Sequence, residues 1–244
     1  MENQVVLITG ANKGLGLETA RQIGKEGHSV IIGSRDNGRG LAAANSLKED
    51  GVNVELLELD LQNSETVDNA VKYISDKYGN LDILINNAGA VINEDFMTNT
   101  VESISIDDLK KTFDINFFST IEITRKFLPL VRKSSNGKII NLSSILGSLT
   151  THLDEESPLY GAKPFAYNSS KTALNQFGVH LAHALKDENI KVFSAHPGWV
   201  KTDMGGEHAP LTVAEGAKTM VDLALGNTDF KSGSYVHLDS ELPW

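Results

Sequence analysis

Short apolar runs alternate with amphipathic stretches along the whole chain. Val5–Thr9 reads as a short buried strand, and Val30–Gly33, Val54–Leu59, Leu81–Asn86, Lys138–Leu142, Lys191–Ala195 and a stretch near Ser234–Leu238 read the same way. Between them the apolar positions recur at helical spacing. The first such segment runs from Leu15 to about Glu26, with Leu15, Ala20, Ile23 and Gly27 on one side; others cover about 37–50, 64–78, 107–133, 165–187 and 212–225. Short apolar strands separated by helices predict a parallel sheet covered on both faces. Right-handed crossovers then make it a Rossmann-type, doubly wound α/β sheet of about seven strands. No linker, repeat or low-complexity block breaks the pattern, so residues 1–244 read as a single domain. The least regular region, about 145–164, holds Pro158, Pro164 and the acidic cluster Asp154, Glu155 and Glu156, and reads as a loop.

Composition narrows the function classes. The 244 residues are 40% hydrophobic and 22% charged, as in ordinary globular proteins, with a formal net charge of −10. There is no long basic run, which argues against nucleic acid or an anionic membrane as the main partner. With no cysteine in the chain, disulfides, thiolate metal sites and cysteine nucleophiles are excluded. His180 and His183 share a helix face, but no third ligand stands near them, so no metal site is expected. No signal-peptide pattern precedes the first strand, and no apolar stretch approaches the roughly 20 residues that span a bilayer. The expected location is cytoplasmic.

The first candidate chemistry lies directly after the first strand, in Thr9-Gly10-Ala11-Asn12-Lys13-Gly14-Leu15-Gly16. Glycines between a strand and a helix let a pyrophosphate approach backbone amides at the positive end of the helix. The spacing is GxxxGxG rather than the commoner GxGxxG dinucleotide fingerprint. The end of the second strand tests which dinucleotide would bind. An acidic residue there suits the ribose hydroxyls of NAD, whereas an arginine suits a 2′-phosphate. The chain has Gly33-Ser34-Arg35-Asp36. Arg35, with Lys13 and Arg39 as further cations, points to NADP(H), and Asp36 is expected to turn away.

The second candidate is Tyr167 with Lys171. Four residues apart on a helix, they lie on one face about one turn from each other. A phenol has a pKa of about 10, too high for proton transfer at neutral pH. A nearby ammonium would lower it. Such a pair could give and take the proton that carbonyl reduction requires. Tyr160, which has Lys163 three residues on and no lysine four on, is the weaker candidate.

Taken in order, Thr9–Gly16, Asp60, Asn86-Asn87-Ala88-Gly89, Asn116, Asn141–Ser144, Tyr167 with Lys171, and Pro197-Gly198 resemble the motifs of the short-chain dehydrogenase/reductase (SDR) family. The resemblance runs from Val5 to the C-terminus. Gly10-Ala11-Asn12-Lys13-Gly14, Asn116-Phe117-Phe118, Leu128-Pro129-Leu130, the stretch from Pro197 to Met204 and the final Trp244 make it most similar to carbonyl reductases. The resemblance implies these roles. Tyr167 is the general acid/base, and Lys171 binds the nicotinamide ribose and lowers the tyrosine pKa. Ser144, with Ser143 as its rival, hydrogen-bonds the substrate oxygen. Asn116 holds a water in a proton relay through Lys171. Gly10, Asn12, Lys13, Gly14, Leu15 and Gly16 hold the pyrophosphate end, and Asp60 and Leu61 contact adenine. Asn87, Ala88 and Gly89 line the cofactor, while Pro197, Gly198, Val200 and Thr202 hold the nicotinamide carboxamide. Trp199 either caps the substrate pocket or packs.

The chain departs from the family in one place. Ser144 and Tyr167 stand 167 − 144 = 23 residues apart, more than is usual. The extra residues fall in 145–164, where carbonyl reductases also carry an insertion and tend to be monomers. The loop is therefore expected to border the substrate pocket and to favour a monomer or weak dimer over a tetramer. The expected activity is NADPH-dependent reduction of a small, fairly apolar ketone or aldehyde. An NAD-linked alcohol or sugar dehydrogenase, or a non-catalytic NADP-sensing protein, is the alternative. The 90–105 and 145–164 loops and the segment after Pro197 are expected to shape the pocket.

Overall fold

The computed structural model describes residues 3–94 and 101–244. The part of the expected 90–105 loop at 95–100 lies outside them. In chain order the elements are β1 (Val5–Thr9), α1 (Gly14–Lys25), β2 (Ser29–Ser34), α2 (Asn37–Glu49), β3 (Val54–Glu58), α3 (Ser64–Tyr78) and β4 (Ile83–Asn86). They continue with α4 (Ile106–Phe113), a π-helical segment (Asp114–Phe118), α5 (Ser119–Val131), β5 (Gly137–Leu142), a 3₁₀ turn (Ile145–Gly147) and α6 (Leu149–Leu153). The last are α7 (Phe165–Ala184), β6 (Ile190–Ala195), α8 (Val213–Leu225), β7 (Tyr235–His237) and β8 (Ser240–Glu241).

The strands form one sheet in the order β3-β2-β1-β4-β5-β6-β7-β8. The first seven run parallel, as the apolar runs predicted; β8 pairs antiparallel with β7 at the edge and has no apolar run that periodicity could detect. Successive side chains of a strand point to opposite faces. Val6 and Ile8 therefore pack with Ile23, Leu47 and Met220 under α1, α2 and α8, while Val5 and Leu7 pack with Ile74, Phe127 and Ala182 under α3, α5 and α7. The strand order reverses between β1 and β4. In doubly wound sheets ligands bind at that switch point, beyond the carboxyl ends of the strands. Thr9, Asn86, Leu142 and Ala195 end their strands along this one edge.

Three sequence expectations are corrected here. The long helix over 107–133 is α4 and α5 joined by the π segment, whose wider turn carries Asn116. The 145–164 region contains α6, because Ser148 caps it by accepting from the Thr151 N–H at 3.1 Å. Its exposed Leu149 and Leu153 carry no buried stripe that would have announced a helix. Gly27 lies beyond the end of α1 and is exposed, so it is not part of the buried side.

Candidate active site

α7 begins beside the carboxyl ends of β5 and β6 and places Tyr167 in its first turn and Lys171 one turn later, both buried. The Tyr167 hydroxyl lies beside the Ser144 side chain, which acts to lower its pKa. Ser144 stands just after β5, and its Oγ also accepts from the Leu146 N–H at 3.2 Å, which shapes the 3₁₀ turn. Its rival Ser143 is committed elsewhere: its hydroxyl donates to Asn175 Oδ1 at 2.5 Å, and its N–H bonds the Ala195 carbonyl. Tyr160 is exposed on the loop, with the Lys163 ammonium 4.4 Å above its ring.

The Lys171 ammonium donates to the Leu142 carbonyl at 2.8 Å and lies 5.6 Å from the centre of the Tyr167 ring. The expectation that it lowers the phenol pKa needs correcting for the protein's own groups. Burial pushes Tyr167 up to about 12, opposed only by the neighbouring Ser144 side chain. Burial also pulls Lys171 down to about 8. A charge that bonds a carbonyl instead of the phenol oxygen does less for the phenolate than desolvation does against it.

Asn116 is buried in the π segment, a distortion of the helix that recurs at functional sites. Its Nδ2 donates to the Ala90 carbonyl at 2.9 Å and Ser170 Oγ at 3.0 Å, and its Oδ1 accepts from the Ala90 N–H at 2.8 Å. A Cβ added at Gly89 would sit 3.3 Å from Asn116 Oδ1 and 3.5 Å from Lys171 Nζ. The missing side chain therefore leaves open the space between those two groups.

The first turn is built as a dinucleotide cradle requires. Lys13 is the N-cap of α1 and Gly14, Leu15 and Gly16 open the helix. Gly14 has φ +55°, where a side chain is strained, and only Thr202, at 3.8 Å, comes near its absent Cβ. Thr202 thus faces the first turn across the switch point, with Pro197, Gly198 and Val200 on the same segment after β6. The Asn87 side chain donates to the Thr9 and Gly10 carbonyls, and the Asn87 and Ala88 N–H groups donate to Thr9 Oγ1. The residues present fit a dinucleotide there. Asn12 is half-buried in the same turn. Asp60 follows β3 and accepts from the Gln62 N–H, and Leu61 packs into the second core.

The expected phosphate-binding cations are only partly free. Lys13 pairs with Asp203 at 2.5 Å and Arg39 with Asp36 at 3.5 Å. Asp36 turns onto its own helix, where it caps α2 through the Arg39 N–H. The Arg35 side chain has no ion-pair partner among the described residues. Trp199 is exposed, its indole N–H donating to the Gly205 carbonyl at 2.7 Å, so it does not pack into the core.

Sequence reasoning missed several supporting residues. The buried Thr9 hydroxyl ties the ends of β1 and β4 together. Ser170 anchors Asn116 to α7. His196 Nδ1 accepts from the Ile145 N–H beside Ser144, and burial pulls its pKa down to about 3. Glu94 bonds the first turn of α7. Of these, Thr9 opens the glycine-turn motif, and Ser170 and His196 adjoin the motif residues Lys171 and Pro197; Glu94 carries no pattern of its own. Among the described residues no group of three His, Cys, Asp or Glu could hold a metal ion, and no helix is long and apolar enough to cross a membrane.

Comparison with known proteins agrees with this arrangement. The short chain dehydrogenase family model matches residues 4–210. The short-chain dehydrogenase anuI of Penicillium roqueforti is 35% identical over 228 residues, 90% of this chain and 88% of that protein. Carbonyl reductase [NADPH] 1 of Mus musculus is 29% identical over 280 residues, 98% of each. Among solved structures, the carbonyl reductase Sniffer of D. melanogaster superimposes with a TM-score of 0.84 at 28% identity, covering 100% of both chains. A glycine turn at the switch point, a tyrosine–lysine pair on the helix beside it, and a family match over most of the length lead to one conclusion: this chain is a member of the short-chain dehydrogenase/reductase family, of the carbonyl-reductase-like kind, and an oxidoreductase.

Proposed function

We propose that the protein is an NADPH-dependent carbonyl reductase acting on small, fairly apolar ketones or aldehydes. The observation that carries this is the placement of Ser144 beside Tyr167, with the buried Lys171 ammonium 5.6 Å from the tyrosine ring. When bound, the reduced nicotinamide supplies the hydride. The arriving hydride builds negative charge on the carbonyl oxygen, so donors have to point there beforehand. Ser144 donates to that oxygen, and Tyr167 passes it the phenolic proton. A phenol that burial holds protonated suits a proton donor and hinders the reverse reaction, which needs a phenolate. Lys171 offers its ammonium to the nicotinamide ribose. With no side chain at Gly89, Asn116 and Lys171 face each other across the backbone there, the pair through which a water would relay protons.

Pro197, Gly198, Val200 and Thr202 would hold the carboxamide, Asp60 and Leu61 the adenine, and Arg35 the 2′-phosphate with Lys13 and Arg39. Trp199 stands exposed at the rim, where a substrate passes. The whole chain acts as one catalytic domain in the cytoplasm, and the insertion with α6 favours a monomer or weak dimer. The name of the mouse relative, carbonyl reductase [NADPH] 1, supports both substrate class and cofactor. NADPH oxidation followed with aryl ketones, diketones and quinones tests the reading; no turnover across the panel overturns it. Tyr167→Phe should abolish turnover and keep NADPH binding.

One observation favours a second reading, an NAD-linked alcohol dehydrogenase: Asp203 and Asp36 already occupy two of the three cations meant for the phosphate. Tighter binding of NADH than of NADPH would select it.

A further inference from the structure

Helix α7 carries the proton donor, yet its own sequence does not cap it. Its N-cap is Pro164, which has no side-chain donor or acceptor, and no side-chain cap is made there. An uncapped helix leaves its first N–H groups without partners. Two of these are satisfied from 72 and 73 residues away. Glu94 Oε1 accepts from the Ala166 N–H at 2.9 Å, and Oε2 from the Tyr167 N–H at 2.8 Å. Both oxygens of one carboxylate thus grip two successive amides, one belonging to Tyr167. Charge-assisted bonds of this kind are roughly twice as strong as neutral ones, and the negative charge sits at the positive end of the helix.

The segment that carries Glu94 is itself anchored. Ala90 exchanges two hydrogen bonds with the Asn116 side chain, and the Asn93 side chain donates to Asp108 on α4 at 3.0 Å. Asn93 has φ +49°, left-handed backbone that asparagine tolerates better than most residues and that aims the next residue at α7. The same segment begins with Asn87, Ala88 and Gly89, which line the first turn.

We propose that Glu94 is a positioning residue for the proton donor: its carboxylate fixes the first turn of α7 and so holds the Tyr167 phenol against Ser144. The proposal rests on the carbonyl-reductase reading for the role of Tyr167, but the cap itself does not. Its consequence is that the segment lining the cofactor turn and the helix bearing the proton donor move as one piece.

The test compares Glu94→Leu, Glu94→Gln and Glu94→Asp with the parent chain by two measurements. Hydrogen exchange over residues 165–170 reads the cap without any turnover. A leucine side chain cannot accept a hydrogen bond, so in Glu94→Leu the Ala166 and Tyr167 amides should lose their protection; Glu94→Gln keeps one acceptor and should protect one of them. Steady-state kinetics reads the positioning. A misplaced donor lowers kcat, by about 10-fold for Glu94→Leu, with KM for NADPH within about twofold, since the cofactor cradle is untouched. Glu94→Asp, with charge and both oxygens kept, should recover most of the loss. Unchanged exchange in Glu94→Leu overturns the cap. Faster exchange with unchanged kcat overturns the positioning role. If Glu94→Leu does not fold, the same two outcomes in Glu94→Gln decide. A parent chain that reduces no carbonyl with NADPH overturns the functional reading and the positioning role with it, while the exchange result still judges the cap.

Discussion

The buried ammonium of Lys171 should make this protein less stable at neutral pH than a version without it, by an amount that depends on pH in a known way. Lys171 is buried, and desolvation pulls its pKa from 10.5 in the unfolded chain to about 8 in the folded one. Below about 8 the side chain is charged in both states, and the folded chain bears the full cost of the buried charge. Between about 8 and 10.5 the folded chain gives up the proton while the unfolded chain keeps it. The unfolded state then binds more protons, so stability rises with pH. Each pKa unit is worth 1.36 kcal/mol, and the displacement therefore amounts to on the order of 3 kcal/mol. Lys171→Met keeps the length and loses the charge. It also strands the Leu142 carbonyl, but does so at every pH, so that loss cancels between two pH values. Urea unfolding of both chains at pH 7 and near pH 10.5 gives the comparison. The stability of Lys171→Met relative to the parent should fall by on the order of 3 kcal/mol over that interval, roughly 1 M in urea midpoint at a slope of about 3 kcal/mol/M. Tyr167, pushed up to about 12, stays protonated throughout. A difference that is the same at both pH values would refute the reasoning, because the ammonium would then be solvated.

The remaining predictions concern the surroundings of that pair. His196 is held neutral with its pKa pulled down to about 3, so its contribution is fully present above pH 6.5 and is lost as pH falls toward 3; melting temperatures of His196→Gln should decline less than the parent's across that range. Asp203→Asn frees Lys13 and should tighten NADPH binding up to about fivefold, the most an exposed pair is worth, while NADH affinity measured by fluorescence titration stays the same. Gly89→Ala puts a methyl 3.3 Å from Asn116 Oδ1 and 3.5 Å from Lys171 Nζ. Steady-state assay should show kcat down about tenfold, with a parent-like circular dichroism spectrum; full activity would mean that no water works in that space.

Local pattern carried much of this protein. Strand β1 as the unbroken apolar run Val5, Val6, Leu7 and Ile8, the glycine turn behind it, and Tyr167 four residues before Lys171 follow from short-range rules of run length and spacing, which a linear chain displays directly. Helix α6 and the π segment escaped those rules. One is stabilised by a serine cap without an apolar stripe, and the other differs from an α-helix by a single widened turn. Partner choice lay further out of reach. Lys13 and Arg39 read as free cations until Asp203 and Asp36 were seen beside them. The phenol pKa looked lowered until the Lys171 ammonium was found on the Leu142 carbonyl. Glu94 carries no signal in the sequence, because its partners stand on a helix more than seventy residues later. By itself the sequence determined the elements, their winding order and the chemical groups at the switch point, because backbone geometry and residue type settle those locally. Only the tertiary structure decided which charge meets which, how dry each group is and what caps α7, because those depend on distances that folding sets between segments far apart in the chain.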